Sequence, residues 1–87
     1  MLQVFVKTLD VYPKTITFQV FEEEVEMTVK NFKKRISDRV QFPSIGFRLF
    51  KGHRPLADSK LFLKNVQDLD TLWMQGISKN LWEKIDF

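Results

Sequence analysis

Between Thr28 and Val40 the chain places apolar residues at Val29, Phe32, Ile36 and Val40, three, four and four positions apart. That spacing makes one stripe down a helix of 3.6-residue period, with Lys30, Lys33, Lys34, Ser37 and Asp38 mostly off it. Thr28 is placed to cap the N-terminus, because its hydroxyl can accept from a first-turn N–H. Glu22, Glu23, Glu24 and Glu26 lie just upstream, where the positive end of the helix dipole favours them. Pro43 stops the helix and biases Phe42 toward extended backbone. A helix of about three turns is marginal alone and needs an apolar surface to lie on.

The flanking segments supply that surface. Residues 2–9 alternate, with Leu2, Val4 and Val6 on one face and Gln3, Phe5 and Lys7 on the other. Residues 14–20 alternate again, with Ile16, Phe18 and Val20 inward and Thr15, Thr17 and Gln19 outward. The short turn Asp10-Val11-Tyr12-Pro13 makes these strands antiparallel neighbours. After the helix, residues 47–50 read as a short strand with Leu49 inward and Phe50 outward, its register left open because a shift only exchanges which aromatic is buried. Residues 51–55 read as a turn in which Gly52 supplies a positive φ. Leu56 and Leu61 read as core anchors, and Asp58-Ser59 as a turn or helix start. Residues 71–75 alternate with Leu72 and Met74 inward and Thr71, Trp73 and Gln75 outward. The class is α+β, a mixed sheet of four to five strands packed on one amphipathic helix.

Eighty-seven residues with 44% hydrophobic content suit one small domain with little stability to spare. Absence of cysteine removes disulfides, thiolate nucleophiles and thiolate metal sites, and favours a reducing compartment, cytoplasmic or nuclear. No apolar run reaches the roughly 20 residues of a membrane span. A net charge of +3 is too mild to argue for nucleic acid alone. His53 is the only histidine, and no paired carboxylates stand at a recognisable spacing. Neither a zinc site nor a catalytic triad can be assembled, so no cofactor and no enzymatic role are expected.

The segment LQVFVKTL, then KTIT at residues 14–17, then TVKNFKKRI at 28–36 resembles ubiquitin. Phe42-Pro43, Arg48-Leu49, Leu56-Ala57-Asp58, Asn65-Val66-Gln67 and Thr71-Leu72 continue the likeness in order, across about residues 2 to 76. The resemblance implies a ubiquitin-like β-grasp domain at residues 1–77, followed by a tail, linker or packed extension at 78–87. It implies that Lys33 sits against the sheet paired with Asp58, and that Phe32 and Ile36 anchor the helix. Conjugated members end in Gly-Gly, whereas Gly76 is followed here by Ile77, Ser78 and Lys79. An uncleaved, monomeric docking domain of a longer protein is therefore expected.

The positions matching ubiquitin's apolar partner surface are Leu9, Phe50, Trp73 and Gln75, and alternation independently puts Phe50 and Trp73 outward. Large aromatics on a solvent-facing sheet usually mark a binding site. Arg48 and Arg54 are expected to rim the patch, favouring an apolar helix with acidic flanks. Partners of the ubiquitin-binding-domain type, or proteasome and segregase receptors, are implied. Against this stands masking of the patch by the tail, which carries Leu81, Trp82, Ile85 and Phe87, with Asn80 and Glu83 spaced like a capping box. Phe5 matches a second, smaller surface, and Val11 with Tyr12 could extend the first beside Leu9. The alternative function is RNA binding by the basic helix surface of Lys30, Lys34, Arg35 and Arg39, as in some ubiquitin-like domains of splicing factors. The aromatic stacking platforms of RNA-binding modules are not interleaved with it.

Overall fold

The computed structural model describes residues 1–9 and 12–76. Strands β1 (Leu2–Lys7) and β2 (Thr15–Val20) form an antiparallel hairpin, and helix α1 (Val29–Val40) follows. A 3-10 turn at Ser44–Gly46 leads into β3 (Phe47–Lys51) and β4 (Arg54–Leu56), then a short helix α2 (Phe62–Asn65) and β5 (Thr71–Gly76). The strand order is β2-β1-β5-β3-β4. β5 enters the centre, parallel to β1 and antiparallel to β3, so the first and last strands of the described residues lie side by side. This is an α+β fold with an open five-stranded mixed sheet and one main helix, compatible with a β-grasp.

The helix forms as its stripe requires. Val29, Phe32 and Ile36 are fully buried, and each such side chain stabilises the fold by roughly 1.5–3 kcal/mol through the water it leaves. Phe32 stacks on Phe62 at 4.1 Å between ring centroids and meets Phe18 edge-on at 5.3 Å, joining sheet, helix and the α2 segment. Thr28 accepts from the Asn31 N–H at 3.2 Å, and the Asn31 side chain returns to the Thr28 N–H at 3.2 Å. The other first-turn donors are met by a distant loop: Val29 N–H donates to the Lys60 carbonyl at 2.9 Å and Lys30 N–H to the Asp58 carbonyl at 3.1 Å. Those bonds leave the helix dipole's positive end no open face.

One expectation changes and one open register closes. The segment expected as a turn, residues 51–55, narrows to Gly52 and His53 at the turn itself, and Arg54–Leu56 forms strand β4, paired with β3. Pro55 is tolerated there because β4 is an edge strand with no further neighbour to donate to. The open register of β3 is fixed by pairing of Leu49 with Met74, which buries Phe47 and Leu49 together. The acidic run ends before the N-cap, and no acidic residue falls in the first turn of α1. Within that run the chain turns at Phe21–Glu24, where Glu24 accepts the Phe21 N–H at 2.9 Å and forms an ion pair with Arg35. Both bonds hold the Glu24 carboxyl below its ordinary range, the Arg35 hydrogen bond first.

Candidate functional site

The outer face of the β3–β5 ladder is set by its register. Phe50 stands opposite Trp73 and Arg48 opposite Gln75. Because the two pairs are two residues apart on each strand, all four side chains leave the sheet on the same side. The opposite side carries Leu49, Leu72 and Met74 and faces the core. Trp73 remains 46% exposed, and Phe50 is half-buried.

β1 extends this block. Lys7 is the parallel partner of Trp73, and its Nζ lies 6.0 Å from the Trp73 ring centroid. It also donates to the Thr15 hydroxyl, which holds the ammonium beside the ring. A cation over the indole face is attracted by the ring quadrupole. Arg48 is exposed and has no ion pair among the described residues. The face is thus an aromatic centre flanked by Lys7 and Arg48.

Of the other residues predicted for the site, the structure separates two. Arg54 pairs with Lys51 and keeps the register of Leu56, so it sits at the sheet edge on the helix side, beside Lys51, Leu56 and Asn65. The residue opposite Phe50 is Pro55, a neighbour that alternation alone did not reveal because β4 was read as a turn. Leu9 is 36% exposed, lies beyond the end of β1 and approaches Gly76. Lys7 was missed as a site residue, although its outward register was visible in the sequence.

Phe5 is half-buried between Thr17 and Thr71, its ladder partners. Tyr12 is 86% exposed, while Val11 lies outside the described residues. The predicted tail at residues 78–87, including its Asn80 and Glu83 signal and any masking of the sheet, also lies outside them. On α1, Arg35 is held by Glu24, Arg39 lies over the Phe18 ring at 5.7 Å, and Lys30 and Lys34 are exposed.

Lys33 is 5% exposed, with its Nζ 3.1 Å from an Asp58 carboxylate oxygen and 5.4 Å from the Phe47 ring centroid. Asp58 keeps half its surface in water. The ion pair joins the helix to the loop that caps its first turn, so one interaction fixes both. At the far end of the sheet, Asp70 accepts from the Gln67 N–H at 2.7 Å and pairs with Lys51 at 2.9 Å. Burial pushes the Asp70 carboxyl up, but the Gln67 and Lys51 bonds outweigh it and hold the group below its ordinary value. Both pairs are structural.

Among the described residues no three of His, Cys, Asp and Glu converge as a metal site requires. No helix among them is long and apolar enough to cross a membrane. No protein-family model matches the chain, and a search of curated proteins finds no match. The sheet's outer face is therefore interpreted from its own geometry.

Proposed function

We propose that this chain is a ubiquitin-like domain that docks another protein non-covalently through the outer face of β3 and β5. The observation that carries the reading is the cross-strand pair Phe50 and Trp73, which forms an aromatic centre on the side of the sheet away from the core. Aromatic side chains supply anchor energy at interfaces because they bury large rigid area at little entropic cost. Lys7 and Arg48 beside them favour a partner segment that is apolar at its centre and acidic at its flanks. The order of elements and the motifs from LQVFVKTL to Thr71-Leu72 resemble ubiquitin, and the sheet and helix are compatible with that fold. A ubiquitin-binding helix or a proteasome or segregase receptor fragment fits this chemistry. Gly76 is followed by Ile77 and Ser78 and not by a second glycine, which supports an unconjugated role for a domain at residues 1–77.

An amide-resonance titration with ubiquitin-binding helices and proteasome receptor fragments tests the reading. Shifts should concentrate at Arg48, Phe50, Trp73 and Gln75, and Trp73→Ala with Phe50→Ala should abolish them while unfolding stays cooperative. Equal binding by the double variant refutes the proposal. Salt-sensitive retention of single-stranded RNA, lost on charge reversal of Lys30 and Lys34, would favour the RNA reading instead.

A further inference from the structure

The register lines up residues from four strands. Lys7 on β1 stands beside Trp73 on β5, Trp73 opposite Phe50 on β3, and Phe50 opposite Pro55 on β4. Partners across a ladder emerge on the same side, so the four form one row on the outer face, at right angles to the strands. One end of the row is a cation, held beside the indole by its bond to the Thr15 hydroxyl. Trp73, Phe50 and the exposed Pro55 then make a track of three apolar rings. Past Pro55 the surface falls into a concavity of about 490 Å³, which Ile45, Pro55 and Ala57 line together with Arg48. Asp58 also lines it, with its charge met by Lys33, whereas Arg48 has no ion pair among the described residues. Each end of the apolar track therefore carries a cation.

The spacing of the row selects the kind of segment that fits it. Neighbouring strands lie about 4.8 Å apart, so Trp73, Phe50 and Pro55 stand at roughly 5, 10 and 14 Å from Lys7. A helix rising 1.5 Å per residue puts positions i+3, i+7 and i+10 at about 4.5, 10.5 and 15 Å from i, all on one face. An extended chain offers a same-side residue only about every 7 Å, and its first falls between Trp73 and Phe50. Nor does Pro55 give the edge of β4 an N–H with which to add a strand. The tethered ammonium of Lys7 gives up little freedom when it meets a carboxylate, so that end of the row is ready to read charge.

We propose that the partner of this face is an amphipathic helix lying across the strands along the row, with a carboxylate at i on Lys7, apolar side chains at i+3 and i+7 over Trp73 and Phe50, and a second carboxylate at i+10 on Arg48 beside Pro55. Resting on the docking role proposed above, the row adds to it the direction of the helix, Pro55 as a contact, and Lys7 and Arg48 as separate readers of charge.

The probe is a synthetic helix stapled on its far face, with glutamate at its first and eleventh positions and leucine at its fourth and eighth, added to the labelled full chain. Isotope-filtered Overhauser spectra should show the leucine methyls against Trp73 and Phe50, one end of the helix against Lys7 and the other against Pro55. Lys7→Glu and Arg48→Glu should each weaken binding at least tenfold, and exchanging one peptide glutamate for lysine should restore each variant. Contacts from the two ends to Thr71 and Gln75 would mean a helix running along β5, and would overturn the crossing while leaving the docking role intact. Unchanged affinity in either charge variant would do the same. If the stapled helix fails to bind while receptor fragments still shift the Phe50 and Trp73 amides, the crossing alone is overturned; if neither shifts them, both readings are.

Discussion

Phe50 and Trp73 stand directly opposite each other on antiparallel strands, although twenty-two residues separate them in sequence, so the sheet and not the local chain builds the aromatic surface. Cross-strand pairs of this kind contribute roughly 0.2–1 kcal/mol beyond the separate residues. A double-mutant cycle over Phe50→Ala and Trp73→Ala should return a coupling in that range by urea denaturation. Trp73→Ala alone should change stability by less than about 1 kcal/mol because nearly half of the residue is already in water. A larger loss would mean that the ring supports the fold and is not kept for a partner.

The Lys33–Asp58 pair should respond asymmetrically. Removing the carboxylate by Asp58→Ala leaves a buried ammonium without its counter-charge, and should destabilise by about 1–3 kcal/mol. Replacing the cation by Lys33→Met keeps the volume and removes the charge that needs pairing, and should stay within about 1 kcal/mol of the parent. Thermal or urea unfolding of the two variants checks the order; equal losses would show that the pair itself, and not the unpaired lysine, sets the energy.

Asp70 should shape the acid limb of stability. Its carboxyl is held below the ordinary range in the folded state, so the ionised form stabilises the fold at pH above the unfolded value of about 4. That contribution is lost as pH falls through the lower folded value. Asp70→Asn should therefore be less stable than the parent at neutral pH, with the gap shrinking toward about pH 2. Urea midpoints measured across that interval decide it; a constant gap would place the effect outside titration.

Gln41 offers a stabilising change. It ends α1 with φ at 56°, in the left-handed region, while its N–H donates to the Ser37 carbonyl at 2.8 Å. Gln41→Gly removes the β-carbon penalty of that conformation without touching the bond, and should raise stability by about 0.5–1 kcal/mol. A rise in the unfolding midpoint without a change in slope checks this.

Much of this architecture is local and could be read along the chain. The 3.6-residue stripe at Val29, Phe32, Ile36 and Val40 specifies the helix because only one face can be buried. The alternation in residues 2–9, 14–20 and 71–75 specifies strands and their inward sides for the same reason, and Thr28 specifies where the helix begins. These are properties of neighbours, governed by fixed periods.

What tertiary structure alone decided depends on residues far apart. Nothing local says that β5 inserts between β1 and β3, or that Phe50 meets Trp73 and Pro55, because register is a choice among long-range pairings. Strand β4 was hidden since a three-residue edge strand containing proline has too few positions to show a period. Arg54 left the aromatic face for the same cause: one more paired residue after the turn reverses the side on which a side chain emerges. Glu24 meets Arg35 on the helix, and carbonyls of the Asp58–Lys60 loop meet the first helix donors, contacts that no local period encodes. Periodicity fixes which side of an element is apolar, whereas only the closed sheet fixes which residues become neighbours, since that choice is made by packing the whole chain at once.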